Sequence, residues 1–431
     1  MENFFKLKEH GTNVKTEIIS GITTFMTMVY ILAVNPMLLS QAGMDAGGVF
    51  TATALSAGVA TIVMALYAKY PFALAPGMGL NAYFAFTVCL GMGYSWQFAL
   101  TAVLVEGIIF ILLSIIKVRE AIFDLIPYSL KKAVSAGIGL FIAFLGLKQA
   151  GVIATNEATY ITLGDVTSAT AIVCLLGLLI AGVLYSKQVK GALLIGIIAA
   201  TIIGIPLGVT NIENFKVFSM PPSLSNVAFK FVPFDQIMTK EFWVVVFTFL
   251  FVDIFDTVGT LAGVASKTNM LDENGKLPKV SEALMSDAIG TIFGACMGTS
   301  TVTTFVESSA GVAEGGRTGL TSLTTGILFL LSLFIAPLFQ IIPAAATAPI
   351  LVMVGIFMMG SVTGIDFNDT TEAIPAFLTI AMMPFAQSIA EGIVFGIVSY
   401  TFVKTLTGKF KNVSVLMWIL SLLFIARYLF L

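Results

Sequence analysis

Three acidic residues stand inside long apolar stretches of this sequence. Asp253 and Asp256 lie three apart in FVDIFDTVGT, a spacing that puts both on one face of a helix. Glu307 lies in the similar stretch TTFVESSAG. Because a charged carboxylate in a bilayer is costly, each of the three needs a function or a partner. We interpret them as groups that bind a proton or accept hydrogen bonds from an N–H-rich ligand.

Four other acids have simpler interpretations. We expect Glu106 to pair with a helix backbone, Asp287 to cap a helix or pair locally, and Glu391 to cap the helix that follows it. Glu314 lies three residues before Arg317, which predicts an ordinary ion pair along one helix face.

The residue patterns that disulfide, metal or enzyme chemistry would need are missing from the sequence. The single histidine, His10, lies in the N-terminal tail, so proton handling is assigned to carboxylates. Cys89, Cys174 and Cys296 have no CxxC spacing, which indicates neither a disulfide framework nor a zinc site. HExxH and GxSxG motifs are absent. We predict a protein that is not an enzyme and uses no metal and no cofactor.

Two stretches that must position the acids are poor material for an unbroken helix. The first, PFALAPGMGLNAYFAFTV, has Pro76, Gly77 and Gly79 in its middle. The second, GTSTVTTFVESSAGVAEGGRTG, has hydroxyl residues and Val302 before Glu307, and these favour an extended backbone. We predict a short extended piece and then a half-helix in each stretch, starting near Gly79 and at Glu307. The alternative is that glycine and proline merely permit tight helix packing.

The composition indicates the environment of these stretches. Of 431 residues, 11% are charged and 58% are hydrophobic, and the mean hydropathy is +0.99, whereas soluble domains hold about 25% charged residues. The chain is therefore predicted to be a polytopic protein of the lipid bilayer. Its net charge of −2 argues against nucleic acid as a partner.

Fourteen apolar runs are predicted to be membrane-spanning segments. The first seven are at 16–35, 48–68, 72–92, 96–116, 133–150, 168–186 and 191–209. The second seven are at 242–264, 282–299, 300–316, 318–341, 344–362, 371–386 and 388–404. A last stretch, 413–430, is left open between a fifteenth span and an interfacial helix.

The basic residues indicate the orientation. With a cytoplasmic N-terminus, only Lys148, Lys216, Lys230 and Lys240 fall outside, with Arg427 unassigned, as the positive-inside rule expects. The polar N-terminal tail lacks the features of a signal peptide. A multi-pass protein of a bacterial inner membrane is the expected location.

Two echoes half a chain apart indicate an internal repeat. The pattern IP, eleven residues, GLF at 126–141 returns as IP, eleven residues, GIF at 342–357. A second echo pairs glycines and isoleucine at 191–197 with those at 392–397. Seven spans per repeat would invert one repeat relative to the other, an architecture of transporters. Inversion would aim both half-helix N-termini, with their free N–H donors, at one central point.

Three stretches resemble the purine permease branch of the nucleobase/cation symporter type 2 family, the AzgA-like permeases. They are APGMGLNAYF (75–84), FVDIFDTVGTLAGV (251–264) and TSTVTTFVESSAGVAEGGRTGL (299–320). The resemblance extends over essentially the whole chain. It implies an all-α protein of 14 transmembrane segments in 7+7 inverted repeats, with short antiparallel strands in segments 3 and 10. It also implies proton-coupled import of a purine base across the plasma membrane by alternating access.

The resemblance further implies a core domain and a gate domain, each built from both repeats. The division comprises a cytoplasmic tail at 1–15, the core at 16–117 and 241–341, the gate at 118–209 and 342–431, and an extracellular loop at 210–240. A homodimer that forms through the gate domain is also implied.

The family's functional residues carry over position by position. Asp253 matches the substrate-binding acid of segment 8, and Glu307 matches the acid of segment 10. Asn81 matches the polar residue that begins the half-helix of segment 3, and Phe305 matches an aromatic or backbone contact of segment 10. Asp256 matches a second acid of this branch. The resemblance thus implies four substrate-binding residues, and it leaves Asp253, Asp256 and Glu307 as candidates for proton coupling.

The sequence departs from the wider family at one position that bears on proton transfer. The uracil branch has a histidine after the segment 8 acid, and no apolar run here contains a histidine.

The choice of purine also stays open. A carboxylate can accept from N1–H of guanine or hypoxanthine while half-helix donors meet the C6 carbonyl, which favours these two bases. The N9–H and N6–H2 groups of adenine satisfy the same acids, so an adenine or broad purine permease is the alternative. An anion carrier of the same fold is a more distant one, because it would need a basic residue where Glu307 stands.

Overall fold

The protein is mostly helical in the computed structural model, which describes residues 2–115, 126–213, 216–266, 270 and 277–430. The helices of the first half are α1 (Glu2–Phe5), α2 (Val14–Met28), α3 (Ile31–Ser40), α4 (Ala46–Val63), α5 (Met78–Ala82), α6 (Trp96–Ile115), α7 (Tyr128–Gln149), α8 (Ala169–Ser186) and α9 (Ala192–Gly204). Those of the second half are α10 (Phe234–Ile237), α11 (Lys240–Ser266), α12 (Val280–Met297), α13 (Ser308–Ala313), α14 (Gly319–Leu331), α15 (Ala336–Gln340), α16 (Ala344–Met359), α17 (Thr370–Phe385), α18 (Ile389–Leu406) and α19 (Val415–Phe430).

Wider and tighter helical turns extend several of these helices. The π-helical turns Met64–Ala68 and Tyr83–Gly91 continue α4 and α5. The 3-10 turns are Ser332–Ile335, Gly360–Gly364 and Phe410–Asn412.

Eight helical stretches among the described residues are long and apolar enough to cross a membrane. They are Val14–Ser40, Ala46–Ala68, Trp96–Ile115, Tyr128–Gln149, Ala169–Ser186, Gly319–Gln340, Ala344–Gly364 and Ile389–Leu406. All fourteen predicted runs contain a helix, and the stretch left open at the C-terminus forms α19. The chain is therefore a multi-pass membrane protein, while fourteen crossings stay a prediction.

Side-chain caps begin several helices where the sequence supplies a short polar residue. The Asn13 side chain accepts from the backbone N–H of Thr16 at the start of α2. Ser388 is the N-cap of α18 and accepts from the backbone N–H of Glu391. The expectation that Glu391 is the cap was therefore wrong, since Glu391 is the third residue of the helix and its backbone N–H is the group that the Ser388 side chain caps.

The first long helical stretch is interrupted at Val29 and Tyr30, between α2 and α3. The N–H of Leu32 bonds to the carbonyl of Val29 at 3.1 Å, and that of Ala33 bonds to the carbonyl of Tyr30 at 3.0 Å. These are tighter i to i+3 bonds. Pro36 lies within α3 and has no N–H to give to the preceding turn.

Two short antiparallel sheets interrupt the helical pattern. The strands β1 (Leu74–Pro76) and β4 (Val302–Thr304) pair with each other, which confirms the expected strands in segments 3 and 10. The hairpin of β2 (Ile153–Asn156) and β3 (Tyr160–Leu163) was not expected, so the all-α class needs this correction. Its turn forms because the Asn156 side chain accepts from the N–H groups of Ala158 and Thr159.

The chain divides into two compact units. One comprises 1–116 and 147–350, and the other comprises 117–146 and 351–431. In the first unit, a buried apolar cluster that includes Phe72, Leu74 and Val302 surrounds the β1–β4 pair. In the second, Ala133, Ile365 and Ala376 form a small cluster. These bounds differ from those of the core and gate domains, whose division stays a prediction, and the boundary expected at 117 and 118 lies outside the described residues.

Candidate functional site

The two broken stretches meet through the strand pair β1–β4. Leu74 lies opposite Thr304, Ala75 opposite Thr303, and Pro76 opposite Val302. The N–H of Phe305 donates to the carbonyl of Ala73 at 3.0 Å and extends the ladder by one residue. The half-helices α5 and α13 begin just after the strands, which confirms the expected starts to within one residue.

Threonine hydroxyls satisfy backbone groups that the strand pair leaves unbonded. Thr61 on α4 accepts from the N–H of Leu74 at 2.9 Å and lies 3.1 Å from the carbonyl oxygen of Leu74. Thr291 on α12 has the same relation to Val302, at 3.2 and 3.1 Å. Unsatisfied backbone groups are very costly at membrane depth, so each strand depends on one threonine from a neighbouring helix.

Asp256 and Glu307 are the two partly exposed acids at this junction. Asp256 lies next to the Thr303 hydroxyl and within electrostatic range of Glu307. A Cβ atom built on Gly77 would lie 3.3 Å from Asp256 Oδ2, so this carboxylate directly faces the start of α5. Two acids near free backbone donors form a site that can accept hydrogen bonds and donate them.

Asp253 occupies a different environment. Its side chain is fully buried, and the Thr257 hydroxyl lies 2.8 Å from its Oδ1 and 3.1 Å from Asp287 Oδ2. Residues three apart on a helix point about 60° away from each other, so Asp256 can face the junction while Asp253 packs between helices. The Thr257 hydroxyl thus links Asp287 to Asp253, which agrees with the local pairing expected for Asp287.

Asn81 and Phe305 lie at the same junction and are both buried. The Asn81 side chain accepts from the Ser300 hydroxyl and donates to the carbonyl of Pro76 at 3.3 Å. It therefore joins α5 to the segment before β4. Phe305 contributes its backbone to the strand ladder.

Sequence reasoning missed Tyr30. Its ring is 1% exposed, and its hydroxyl donates to Glu307 Oε1 at 2.5 Å. Asp256 is also within its electrostatic range. Tyr30 and Asn35 are the polar residues of the stretch VYILAVNPMLL, which also contains Pro36. These residues were the signal that could have indicated a third broken segment.

Several buried polar residues brace the segment that carries Glu307. The Thr301 hydroxyl donates to Glu106 Oε2 at 2.6 Å, so the expectation that Glu106 pairs with a helix backbone missed this side-chain partner. Asn35 donates to the hydroxyls of Thr53 and Thr299, each at 2.8 Å. These bonds tie the residues just before β4 to α6 and α3, and they tie α3 to α4.

Glu314, at the end of this segment, binds a different partner from the one expected. Its carboxylate pairs with Lys190 at 2.6 Å. The Arg317 guanidinium donates instead to the carbonyls of Val312 and Gly316. The predicted ion pair between Glu314 and Arg317 was therefore wrong, because α13 ends before Arg317 and the helical spacing is lost. Among the described residues, no group of three or more His, Cys, Asp or Glu could hold a metal ion.

The chain matches known permeases over its whole length. The Permease family model Xan_ur_permease matches residues 15–395. A permease of Methanocaldococcus jannaschii is 49% identical over 433 residues, which cover 100% of this chain and 98% of the relative. The adenine permease AdeP of Escherichia coli is 43% identical over 430 residues, with 100% and 96% covered. The guanine/hypoxanthine permease PbuO of Bacillus subtilis is 45% identical over 427 residues, with 97% and 98% covered.

A solved structure has the same fold at low identity. The transmembrane domain of a cyanobacterial bicarbonate transporter, BicA, aligns with a TM-score of 0.67 at 17% identity, covering 89% of this chain and 97% of that one. At this identity the likeness concerns the fold alone.

Proposed function

This chain belongs to the nucleobase/cation symporter family, and from that premise we propose that it is a proton-coupled symporter that imports a purine nucleobase. Guanine and hypoxanthine are the proposed substrates. The relatives named as adenine and guanine/hypoxanthine permeases support a purine. An adenine or broad purine permease is the alternative.

The pair of partly exposed acids, Asp256 and Glu307, carries this proposal. Both lie where the broken stretches meet, and a purine base offers N–H donors on its edges. An ionised carboxylate is a strong acceptor for such donors. Backbone N–H groups that begin α5 are available for a ring carbonyl. An anion carrier is disfavoured because an anion would meet two carboxylates here.

The geometry favours Asp256 for the direct contact that sequence reasoning assigned to Asp253. We propose that Asp256 and Glu307 bind the base, that Asn81 and Phe305 shape the site through their bonds to the broken segments, and that Asp253 supports Asp256 from within α11. Two nearby carboxylates repel each other at low dielectric. A proton on one of Asp253, Asp256 or Glu307 relieves this repulsion, and this is the proposed origin of coupling.

The proposed transport cycle is alternating access in an architecture of fourteen spans and two inverted repeats. The equivalent roles of Thr61 at Leu74 and of Thr291 at Val302 support the repeat. In the proposed cycle the core domain moves against the gate domain, the N-terminus is cytoplasmic, and the protein resides in the inner cell membrane as a homodimer through its gate domain.

The test is uptake of labelled hypoxanthine into proteoliposomes under an inward proton gradient. We expect accumulation that excess guanine blocks and that sulfate and uracil do not. Block by adenine would move the assignment to the broad alternative, and accumulation of sulfate or uracil instead of a purine would refute the proposal.

Variants test the site itself. Asp256→Asn and Glu307→Gln should abolish gradient-driven uptake, because an amide cannot replace a charged acceptor. Asp253→Asn should reduce uptake less than Asp256→Asn. The matched control is Glu241→Gln, which changes an exposed acid on the same helix and should leave uptake unchanged. Full uptake by both Asp256→Asn and Glu307→Gln would contradict the proposal that these acids bind the base.

A further inference from the structure

A buried phenol lies against one of the two acids, and the proposed function does not yet use it. Tyr30 donates its single hydroxyl proton to Glu307 Oε1 at 2.5 Å. One turn earlier, the Thr27 hydroxyl lies 3.5 Å from the backbone carbonyl of Glu307. The last turn of α2 and the interruption after it therefore contact both the backbone and the side chain of Glu307.

The position of Tyr30 is determined by packing around it. Its residue lies in the interruption between α2 and α3, and its side chain is 1% exposed. Asn35, further along α3, binds the Thr299 hydroxyl before β4. Thr299 lies just before β4 and Glu307 just after it, so α3 is bonded to the segment that carries Glu307. The Tyr30 phenol is therefore held at a defined place beside the carboxylate.

The bond changes what Glu307 can offer to a ligand. A hydroxyl has one proton to donate, and here the Oε1 atom of Glu307 receives it. A carboxylate that already accepts a hydrogen bond is stabilised in its ionised form. When ionised, Glu307 presents its remaining oxygen as an acceptor only, in the orientation that the Tyr30 bond fixes.

We propose that Tyr30 is a positioning and specificity-determining residue of the permease. It occupies one oxygen of Glu307 and so makes the acid select bases with an N–H at that edge. This inference rests on the proposed function. Without the phenol, the carboxyl group is free to rotate and to take a proton, and as an acid it can also donate to an unprotonated ring nitrogen. Discrimination between purines with different donor patterns would then fall.

The experiment compares binding of hypoxanthine and adenine to purified protein in detergent, with wild type and Tyr30→Phe. The phenylalanine ring keeps the packing and removes only the hydroxyl. We expect the preferred base to bind about tenfold more weakly, because its own hydrogen bond to Glu307 weakens when that carboxylate is no longer held in place, and the other base to lose less. The affinity ratio of the two bases should therefore narrow at least threefold.

A control variant and a second substitution of Tyr30 distinguish the positioning of Glu307 from a general packing defect. Tyr400→Phe removes the hydroxyl of another buried tyrosine, far along the chain, and should change neither affinity nor ratio. Equal weakening of both bases in Tyr30→Phe would mean a packing defect and would overturn the inference, as would unchanged binding. If Tyr30→Phe does not fold, Tyr30→His keeps a ring N–H donor and should keep the wild-type ratio within threefold; a collapse of that ratio would count against the inference.

A second measurement distinguishes failure here from failure of the proposed function. If wild type binds no purine, the proposed function is wrong, and the specificity role of Tyr30 is lost with it. The positioning role is then decided by thermal unfolding of ligand-free wild type, Tyr30→Phe, Glu307→Gln and the double variant. Positioning predicts that Tyr30→Phe lowers the Tm more in the wild type than in Glu307→Gln; equal losses would overturn it.

Discussion

The backbone N–H of Gly77 donates to the carbonyl oxygen of Thr301 at 3.0 Å. This bond joins the two broken stretches at the residue where α5 is about to begin. A Cβ atom on Gly77 would lie 2.7 Å from Thr303 Oγ1 and 3.3 Å from Asp256 Oδ2. The glycine is therefore needed because a strand and a carboxylate approach its backbone closely.

Gly77→Ala should impair substrate binding. The added methyl group must displace the Thr303 hydroxyl, which lies next to Asp256, and we expect a loss of at least about tenfold in hypoxanthine affinity if one charge-assisted hydrogen bond is lost. The measurement is binding to purified protein. Gly182→Ala is the matched control, since its Cβ would meet nothing within 4 Å. Wild-type affinity in Gly77→Ala would contradict the expectation.

Glu17→Gln should destabilise the protein. The fully buried Glu17 carboxylate accepts from the backbone N–H groups of Arg317, Thr318 and Thr321 and from the two threonine hydroxyls. It thus caps α14 from a distant segment. An amide group would turn a donor toward these donors, at a cost of about 3 kcal/mol.

The measurement for Glu17 is thermal unfolding in detergent. The exposed acid Glu9, which pairs with Lys6 at 2.9 Å, supplies the control Glu9→Gln. That exposed pair should contribute less than about 1 kcal/mol. If both variants unfold at the same temperature, Glu17 does not hold α14.

Lys404→Met should destabilise the second compact unit. The Lys404 side chain is 2% exposed and pairs with Glu372, with Asp369 3.8 Å away. Removing the lysine leaves the partly buried Glu372 carboxylate without its cation, which costs about 3 kcal/mol, whereas Asp369 keeps its bond to Lys409 at 2.8 Å. Lys409→Met, at an exposed lysine 43% accessible, should cost less than about 1 kcal/mol. Urea unfolding of both variants tests this, and similar losses would contradict it.

Asp369 should make stability depend on acid pH. The Lys409 ammonium, together with hydrogen bonds from Thr371, holds the pKa of Asp369 well below its usual range. A group with a lowered folded-state pKa contributes stability above its unfolded pKa, about 3.9 for Asp, and loses it as the pH falls.

Asp369→Asn should therefore lower the Tm at pH 7, and the difference from wild type should shrink as the pH falls below about 3.9. In a Lys409→Met background the same substitution should have a smaller effect at pH 7, since the main cause of the lowered pKa is gone. A difference in Tm between wild type and Asp369→Asn that is constant from pH 7 to pH 3 would show that the Asp369 carboxylate is not the source of the pH-dependent stability.

Thr61→Val and Thr291→Val should cost similar amounts of stability. Each leaves an N–H and a carbonyl of one strand residue unsatisfied, of Leu74 or of Val302, at about 2 kcal/mol per variant. Thr405→Val removes a hydroxyl that bonds only to the preceding helical turn and serves as the control. Strongly unequal losses for Thr61 and Thr291, measured by thermal unfolding, would argue against equivalent repeats.

Local signals in the sequence were enough for much of the fold. Apolar runs predicted the helices, and Pro76 with Gly77 predicted a break because proline and glycine are unfavourable inside a helix. The run of threonines before Glu307 predicted β4 through its preference for extended backbone. The hairpin β2–β3 was missed because its strands are short and lack clear alternation.

The roles within the site followed the sequence less closely. Spacing put Asp253 and Asp256 on one helix face, yet a difference of about 60° between them decides that one is buried against Thr257 and the other is partly exposed near Thr303. No local pattern reports which side of a helix its neighbours will cover.

Membrane location, helical runs and the two breaks were thus determined by the sequence itself, because hydropathy and backbone preference are properties of neighbouring residues. The contacts that define the site were decided only by the tertiary structure. Tyr30 meets Glu307 across 277 residues of chain, and Glu17 meets Thr321 across 304. Such pairs form because burial forces each polar group to find whichever partner the packed segments bring within reach, and packing is a property of the whole fold.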